Sequence, residues 1–264
     1  MQDLGGYPPR TPGSGQGQAA IRRAYATYFE SGHYTRRYPG PNPTVWRRVL
    51  RRIGPEARVI DYGCGSGRYL LGLQGRVAAA AGFDVSEAAL TLLRASALAQ
   101  GWDDLDILGP DVATLDAHVA REGPADLVLC LFGVIGHIAD PAERAATLLR
   151  LRRAVRPDSG RLLISVPNAA RRFRAEQRDA GDGPIRYVRE MGDMQVALTY
   201  RLFTPAQLRE ELTEAGFRVE RMDAESVVPE SWLLRRPAAR WLDAALTPLC
   251  PAGWGYGILA EASC

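Results

Sequence analysis

From residue 56 onward, short apolar runs alternate with amphipathic stretches. ARVIDY is followed by RYLLGLQ, AAAAGFD by SEAALTLLRASALAQ, LDILGPD by a short helical stretch, ADLVLCLF by PAERAATLLRLRRAV, and then comes GRLLISVP. Nearly continuous apolar runs suit strands covered on both faces, and the stretches between them repeat with the period of a helix. Parallel strands joined by right-handed helical crossovers build a doubly wound α/β domain. After Pro167 the pattern continues with a polar segment to Met194, a strand-like VALTYRLF, a helix opened by Thr204 and Pro205, a strand at FRVERMD, an insertion, and a closing apolar strand YGILAEA.

Ahead of this repeat, residues 1–18 combine Gly, Pro, Ser and Gln with little to bury and are expected to form a flexible leader. Residues 19–56 predict an N-terminal helical cap. Ile21, Tyr25, Tyr28 and Phe29 share one helical face, and a second helix falls around residues 44–53. The α/β domain then covers 57–264, with lid insertions at about 168–203 and 225–255. Both leave the carboxyl edge of the sheet, where doubly wound folds bind ligands, and should roof the site.

A chain of 264 residues, 46% hydrophobic and 24% charged, can bury a core without disulfides or metals. Its longest apolar stretch, LVLCLFGVIG, is about half of the ~20 residues a membrane helix requires. The first residues lack a basic start and an apolar core, so a cytoplasmic location is expected. Cysteines at 64, 130, 250 and 264 show neither C-x-x-C nor a histidine companion, which points to reduced thiols and no metal site. Every one of the 33 basic residues is Arg, and the net charge of +3 is too small to imply a polyanionic partner. Nine of these arginines (22, 23, 36, 37, 47, 48, 51, 52, 58) nevertheless cluster near the N-terminus against Glu30 and Glu56. Either a solvated helical face or contact with an acidic substrate or nucleic acid would explain them.

The first strand ends in VIDYGCGSGRYL, which places Asp61 before Gly63, Gly65 and Gly67 at a strand-to-helix turn. Glycines there permit positive φ and let a ligand approach bare backbone. A dinucleotide fingerprint would need a third glycine where Arg68 stands, and Asp61 would face a pyrophosphate. An acid beside this turn suits instead a ligand with positive charge, such as an amino-acid ammonium and a sulfonium.

With GFDVS ending the second strand, GPDVATL following the third and ADLVLCLFGVIGHI forming the fourth, the chain resembles class I S-adenosylmethionine-dependent methyltransferases. The resemblance covers residues 57 to about 166, with 204–224 in support. It implies a seven-stranded, mostly parallel Rossmann-like sheet and S-adenosylmethionine as cofactor. Asp61 with Gly63, Cys64 and Gly65 would hold the methionine end, with Cys64 a small packing residue. Asp84, beside Val85, would accept both ribose hydroxyls. Asp111, with Val112 nearby, would meet the adenine amino group, although a helix N-cap explains Asp111 equally. Backbone around Leu131 would meet the ammonium, and Arg37 would pair with the carboxylate unless it is a surface arginine. Gly133 and Gly136 depart from the acidic residues of many relatives.

The reaction implied is in-line SN2 methyl transfer, in which alignment does most of the work. His137, following the fourth strand, is the candidate base, although relatives carry a packing histidine in this loop. His33 belongs to the cap, and His118 is expected on the solvated surface. Tyr28, Tyr34 and Asn168 are candidate acceptor contacts, the tyrosines being otherwise helix core. A small-molecule acceptor of specialised metabolism is expected. The alternatives are a wobble-uridine tRNA or protein methyltransferase, or intramolecular cyclisation of the cofactor with release of methylthioadenosine.

Overall fold

The computed structural model describes residue 23 and residues 26–181, 183–191 and 194–264. The expected leader, Ile21 and Tyr25 lie outside the described residues. Residues 26–30 are helical (α1) and lead into α2 (His33–Arg37) and α3 (Pro43–Leu50). Asn42 caps α3 by accepting the Thr44 amide, and Pro43 takes the first position, where a missing N–H costs nothing.

Five parallel strands follow: β1 (Arg58–Tyr62), β2 (Ala79–Phe83), β3 (Asp106–Leu108), β4 (Leu127–Cys130) and β5 (Arg161–Pro167). Crossover helices α4 (Glu87–Ala99), α5 (Val112–Glu122) and α6 (Pro141–Ala154) join β2 to β3, β3 to β4 and β4 to β5. Beyond β5 come α7 (Arg174–Ala180), the hairpin of β6 (Ile185–Met191) and β7 (Met194–Tyr200), and α8 (Pro205–Glu214), opened by a Thr204–Gln207 capping box. The chain closes with β8 (Arg218–Ser226), α9 (Glu230–Leu233), α10 (Pro237–Leu246) and β9 (Gly257–Ser263). The seven-stranded sheet has the order β3-β2-β1-β4-β5-β9-β8, with β9 antiparallel to both neighbours. This is the doubly wound fold implied by the sequence resemblance. The chain leaves β1 toward β2 on one side and places β4 on the other, which opens a crevice at their carboxyl ends.

Strand alternation divides the core. Ile60, Val128, Cys130, Leu162 and Ile164 pack with Leu115, Leu148, Leu151, Leu208 and Leu212 on one face. Val59, Leu127, Leu129 and Leu163 pack with Val45, Val49, Leu90 and Leu93 on the other. The cap helix α3 is therefore part of the layer beneath the sheet. Part of the basic N-terminal cluster anchors it: Arg48 reaches Asp223 at 2.7 Å and Glu261 at 3.5 Å, and Arg52 reaches Glu261 at 2.5 Å.

Three sequence expectations change. RYLLGLQ is not an α-helix but a series of turns around a 3-10 turn at Leu70–Leu73. Gly67 adopts φ +89°, and a Cβ on Gly72 would come 2.9 Å from the Trp46 ring, so this segment trades helix for close docking of α3. The polar stretch before Met194 forms β6. His118 is buried at 6% exposure, with Nδ1 3.1 Å from the Asp106 carboxylate, because it turns inward from α5. Among the described residues no helix is long and apolar enough to cross a membrane.

Candidate active site

The turn after β1 is folded back onto β2. Gly63 and Cys64 donate their amides to the Phe83 carbonyl at 2.7 and 3.0 Å, and Gly63, Gly65 and Gly67 all adopt positive φ. The Gly65 amide donates to Asp84 Oδ2 at 2.8 Å, while Asp84 Oδ1 accepts the Ser86 amide at 2.8 Å. The carboxylate of the second strand thus braces the glycine turn of the first. Asp61 is 2% exposed. Burial pushes the Asp84 carboxyl up to about 6, and burial together with the nearby Asp84 pushes Asp61 up to about 7.

No arginine among the described residues pairs with either acid. The missing α-helix after the turn also removes the amide terminus that would favour a phosphate. Two buried carboxyls at adjacent strand ends, beside exposed glycine backbone, fit a donor-rich cationic ligand and repel a diphosphate. S-adenosylmethionine meets that description.

Around this turn, Cys64 is buried against Leu70 and Gly82, and burial raises its thiol well above the usual range, so it packs. Val85 and Val112 are partly buried against the core, and Leu131 is buried immediately after β4. Asp111 caps α5, its Oδ1 accepting the Ala113 amide at 2.9 Å.

A cavity of about 720 Å³ opens beside the crevice, outside the ends of β4, β5 and β8. Arg37 and Tyr38 of the cap line one side, Phe132 and Gly133 the floor, and Arg172, Tyr200, Glu225 and Glu230 the parts belonging to segments 168–203 and 225–255. Tyr28 and Tyr34 do not line it. They pack with Phe29 and Tyr38 as a buried aromatic cluster, Tyr34 lying 4.8 Å from Phe29. Phe29 in turn rests against Gly65, which seats the cap on the glycine turn. Arg37 donates to the Tyr38 hydroxyl at 3.1 Å.

Asn168 is fully buried, and its amide is spent on protein. Nδ2 donates to Gly253 and Gly255 carbonyls at 2.9 and 2.7 Å, and Oδ1 accepts the Ala170 amide. The expectation of substrate contact gives way to a pin between two loops. His137 is half-buried and stacks on Tyr200 with centroids 4.2 Å apart, placing it behind the cavity wall. The departures at Gly133 and Gly136 acquire a reason here. A Cβ on Gly133 would fall on the Tyr200 hydroxyl, and one on Gly136 would lie 2.7 Å from its ring.

Arg172, Tyr200, Glu225, Glu230 and Tyr256 were not anticipated from the sequence. Only Glu225 carried a usable signal, since it lies at the carboxyl end of a strand in a doubly wound sheet.

Comparison with known proteins agrees with this geometry. A family profile described as "Methyltransferase domain" matches residues 34–221. None of the curated proteins matches the chain by sequence. Among solved structures, the chain is similar to an S-adenosylmethionine-dependent methyltransferase from Clostridium acetobutylicum (TM-score 0.62, 10% identity, 90% of this chain and 98% of that one). It is also similar to the protein of the DhpI–SAM–HEP complex (TM-score 0.60, 17% identity, 97% and 100%). A third is the glycopeptide N-methyltransferase MtfA bound to S-adenosylmethionine (TM-score 0.53, 19% identity, 85% and 94%). With the profile spanning most of the chain over a glycine turn and paired acids suited to a sulfonium nucleoside, the chain belongs to the methyltransferase-domain family, as an S-adenosylmethionine-dependent enzyme of class I.

Proposed function

We propose that the enzyme methylates a small molecule bound in the 720 Å³ cavity at the carboxyl edge of the sheet, in specialised metabolism. The observation that carries this reading is that three separate segments of the chain build one cavity. The cap, the segment after β5 and the segment after β8 all contribute walls, which suits a discrete acceptor better than a polymer. Partial use of the N-terminal arginines in ion pairs with Asp223 and Glu261 supports the same choice over a nucleic-acid track.

Bound S-adenosylmethionine supplies an electrophilic methyl group on a sulfonium. Asp84 would hold the ribose hydroxyls, and Asp61 with the turn Gly63–Gly65 and the Leu131 carbonyl would hold the methionine ammonium. Asp111 and Val112 would border the adenine, and Arg37 would face the carboxylate. The rest of the protein's task is alignment and exclusion of water, which can supply roughly 7–11 kcal/mol of barrier lowering. His137 stacks on Tyr200 and supports the cavity wall through that ring.

The test is product analysis with candidate acceptor pools. Adenosylhomocysteine formed together with a methylated small molecule supports the proposal. Release of methylthioadenosine would replace it with cyclisation. Binding to bulk tRNA with steep salt dependence, and methylation of that RNA, would replace the acceptor class.

A further inference from the structure

Two side chains on the cavity wall each carry one buried polar atom without a partner. The guanidinium of Arg172 lies over the rings of Tyr256 at 4.9 Å, Phe173 at 5.3 Å and Tyr200 at 5.8 Å. Rings satisfy the faces of a guanidinium but not its N–H edge. Its Nε is shielded from solvent without a hydrogen-bond acceptor, and among the described residues no carboxylate comes within ion-pair distance of Arg172.

Glu225 is 8% exposed, and its Oε1 is likewise shielded and without a donor. On the Oε2 side the chain leaves no room: a Cβ on Gly257 would fall on that oxygen. The other acid of the wall, Glu230, is already committed to Arg68 at 2.6 Å. Arg172 and Glu225 therefore line the same cavity without bonding to each other, and each keeps one shielded polar atom, Nε and Oε1, unpartnered. An uncharged apolar occupant would leave both unsatisfied, whereas a ligand with an acid group and a hydrogen donor satisfies both.

We infer that the acceptor is a small oxyanion, a carboxylate or phosphate, seated on the N–H edge of Arg172, and that it carries a hydroxyl or amine whose hydrogen is held by Glu225 Oε1. This rests on the small-molecule reading above and narrows it. Arg172 is placed by the loop after β5, and Glu225 by the end of β8, so the two recognition points are fixed by the frame of the sheet.

The test is titration calorimetry on the full chain saturated with adenosylhomocysteine, with benzoate, inorganic phosphate, 4-hydroxybenzoate and neutral benzamide as probes. Benzoate or phosphate is expected to bind at least tenfold more tightly than benzamide, and the stronger of the two identifies the oxyanion. Arg172→Gln is expected to lose at least tenfold in that affinity, and Arg172→Lys to keep most of it, with adenosylhomocysteine affinity unchanged in both as the check on folding. 4-Hydroxybenzoate is expected to exceed benzoate, and Glu225→Gln to erase that margin. Benzamide binding as tightly as the anions, or Arg172→Gln binding them normally, overturns the oxyanion seat while leaving the small-molecule cavity intact. No binding by any probe overturns both. Equal affinity of 4-hydroxybenzoate and benzoate in the unmodified protein overturns the role of Glu225.

Discussion

Arg68 Nη2 lies 2.6 Å from Glu230 Oε1, joining the glycine turn after β1 to the segment after β8 across 162 positions of chain. The Arg68 side chain is 3% exposed and that of Glu230 9%. The same guanidinium donates through Nε to the Gly40 carbonyl at 2.7 Å and covers the Phe132 ring at 4.7 Å. One side chain thus ties together the N-terminal helices, the glycine turn, the loop after β4 and the cavity wall. It occupies the position where a dinucleotide fold would have its third glycine, so the feature that argues against a pyrophosphate is also the joint that closes this site.

Arg68→Met is expected to lower stability by about 3–5 kcal/mol, because it leaves the Glu230 charge buried without a partner. Joining Glu230→Met to it should recover a large part of that loss. Urea midpoints of the two single variants and the double variant close the cycle. Simple additivity would show that the pair does not act as a unit.

Asp84 predicts a pH dependence of cofactor affinity. Burial holds its carboxyl up at about 6 in the free protein, and ribose hydroxyls are donors that favour the ionised form. Affinity for adenosylhomocysteine should therefore rise between pH 5 and 7, with Asp61 adding to the same trend. Asp84→Asn should weaken binding by about 1.5–3 kcal/mol and flatten its share of the slope. Calorimetry across that range checks both, and an unchanged affinity in the variant would remove Asp84 from the site.

Asn168→Ala tests the loop pin. The substitution strands the buried Gly255 carbonyl and the part-buried Gly253 carbonyl, at a cost of about 1–3 kcal/mol. The thermal midpoint should fall while adenosylhomocysteine still binds. An unaltered midpoint combined with lost acceptor affinity would return Asn168 to the role of substrate contact.

The close approach of Tyr200 to the loop after β4 makes Gly133 sensitive to any side chain. At φ +76°, with the Tyr200 hydroxyl where a Cβ would stand, Gly133→Ala should destabilise the wall by more than the ~1 kcal/mol expected from backbone strain alone. Tyr200→Phe removes the hydroxyl and should restore part of the loss. A chemical-denaturation series with both variants and their combination measures the coupling, and absence of rescue would place the strain elsewhere.

The half of the candidate site proposed to take the cofactor was legible in the sequence because its information is local. A strand, three alternating glycines and an acid at the next strand end specify Asp61, Gly63, Gly65 and Asp84 within one crossover. The half proposed for the acceptor was not, because Arg172, Tyr200, Glu225 and Tyr256 meet only after β9 inserts antiparallel between β5 and β8. Asn168 shows the same limit. A polar residue opening a loop suggests ligand contact, and the carbonyls that consume its amide arrive from more than eighty positions away. His118 followed the same pattern, since its partner Asp106 lies on a neighbouring element. The short turn replacing the first crossover helix escaped detection because RYLLGLQ has an apolar pattern compatible with either outcome, and Trp46 docking on Gly72 decided it.

Glu225 supplies a stability signal with a definite sign. Burial, reinforced by the negative charge of Glu230, raises its carboxyl from 4.5 to about 8. Below pH 4.5 the folded and unfolded chains both hold this proton. Above that, the unfolded chain releases it while the folded protein keeps it until about pH 8, so the folded state binds more protons and its stability falls as pH rises through this window. The slope from one such group is at most about 1.4 kcal/mol per pH unit. Asp61 and Asp84 act in the same direction but finish near pH 7 and 6, which leaves pH 7–8 as the interval where Glu225 dominates. Glu225→Gln, which keeps the shape without the titrating proton, should therefore flatten the decline between pH 7 and 8. Urea midpoints at half-unit steps from pH 5.5 to 8.5 test this. An identical slope in the two proteins would mean that Glu225 is ionised in the folded state throughout, with Arg172 near enough to neutralise it.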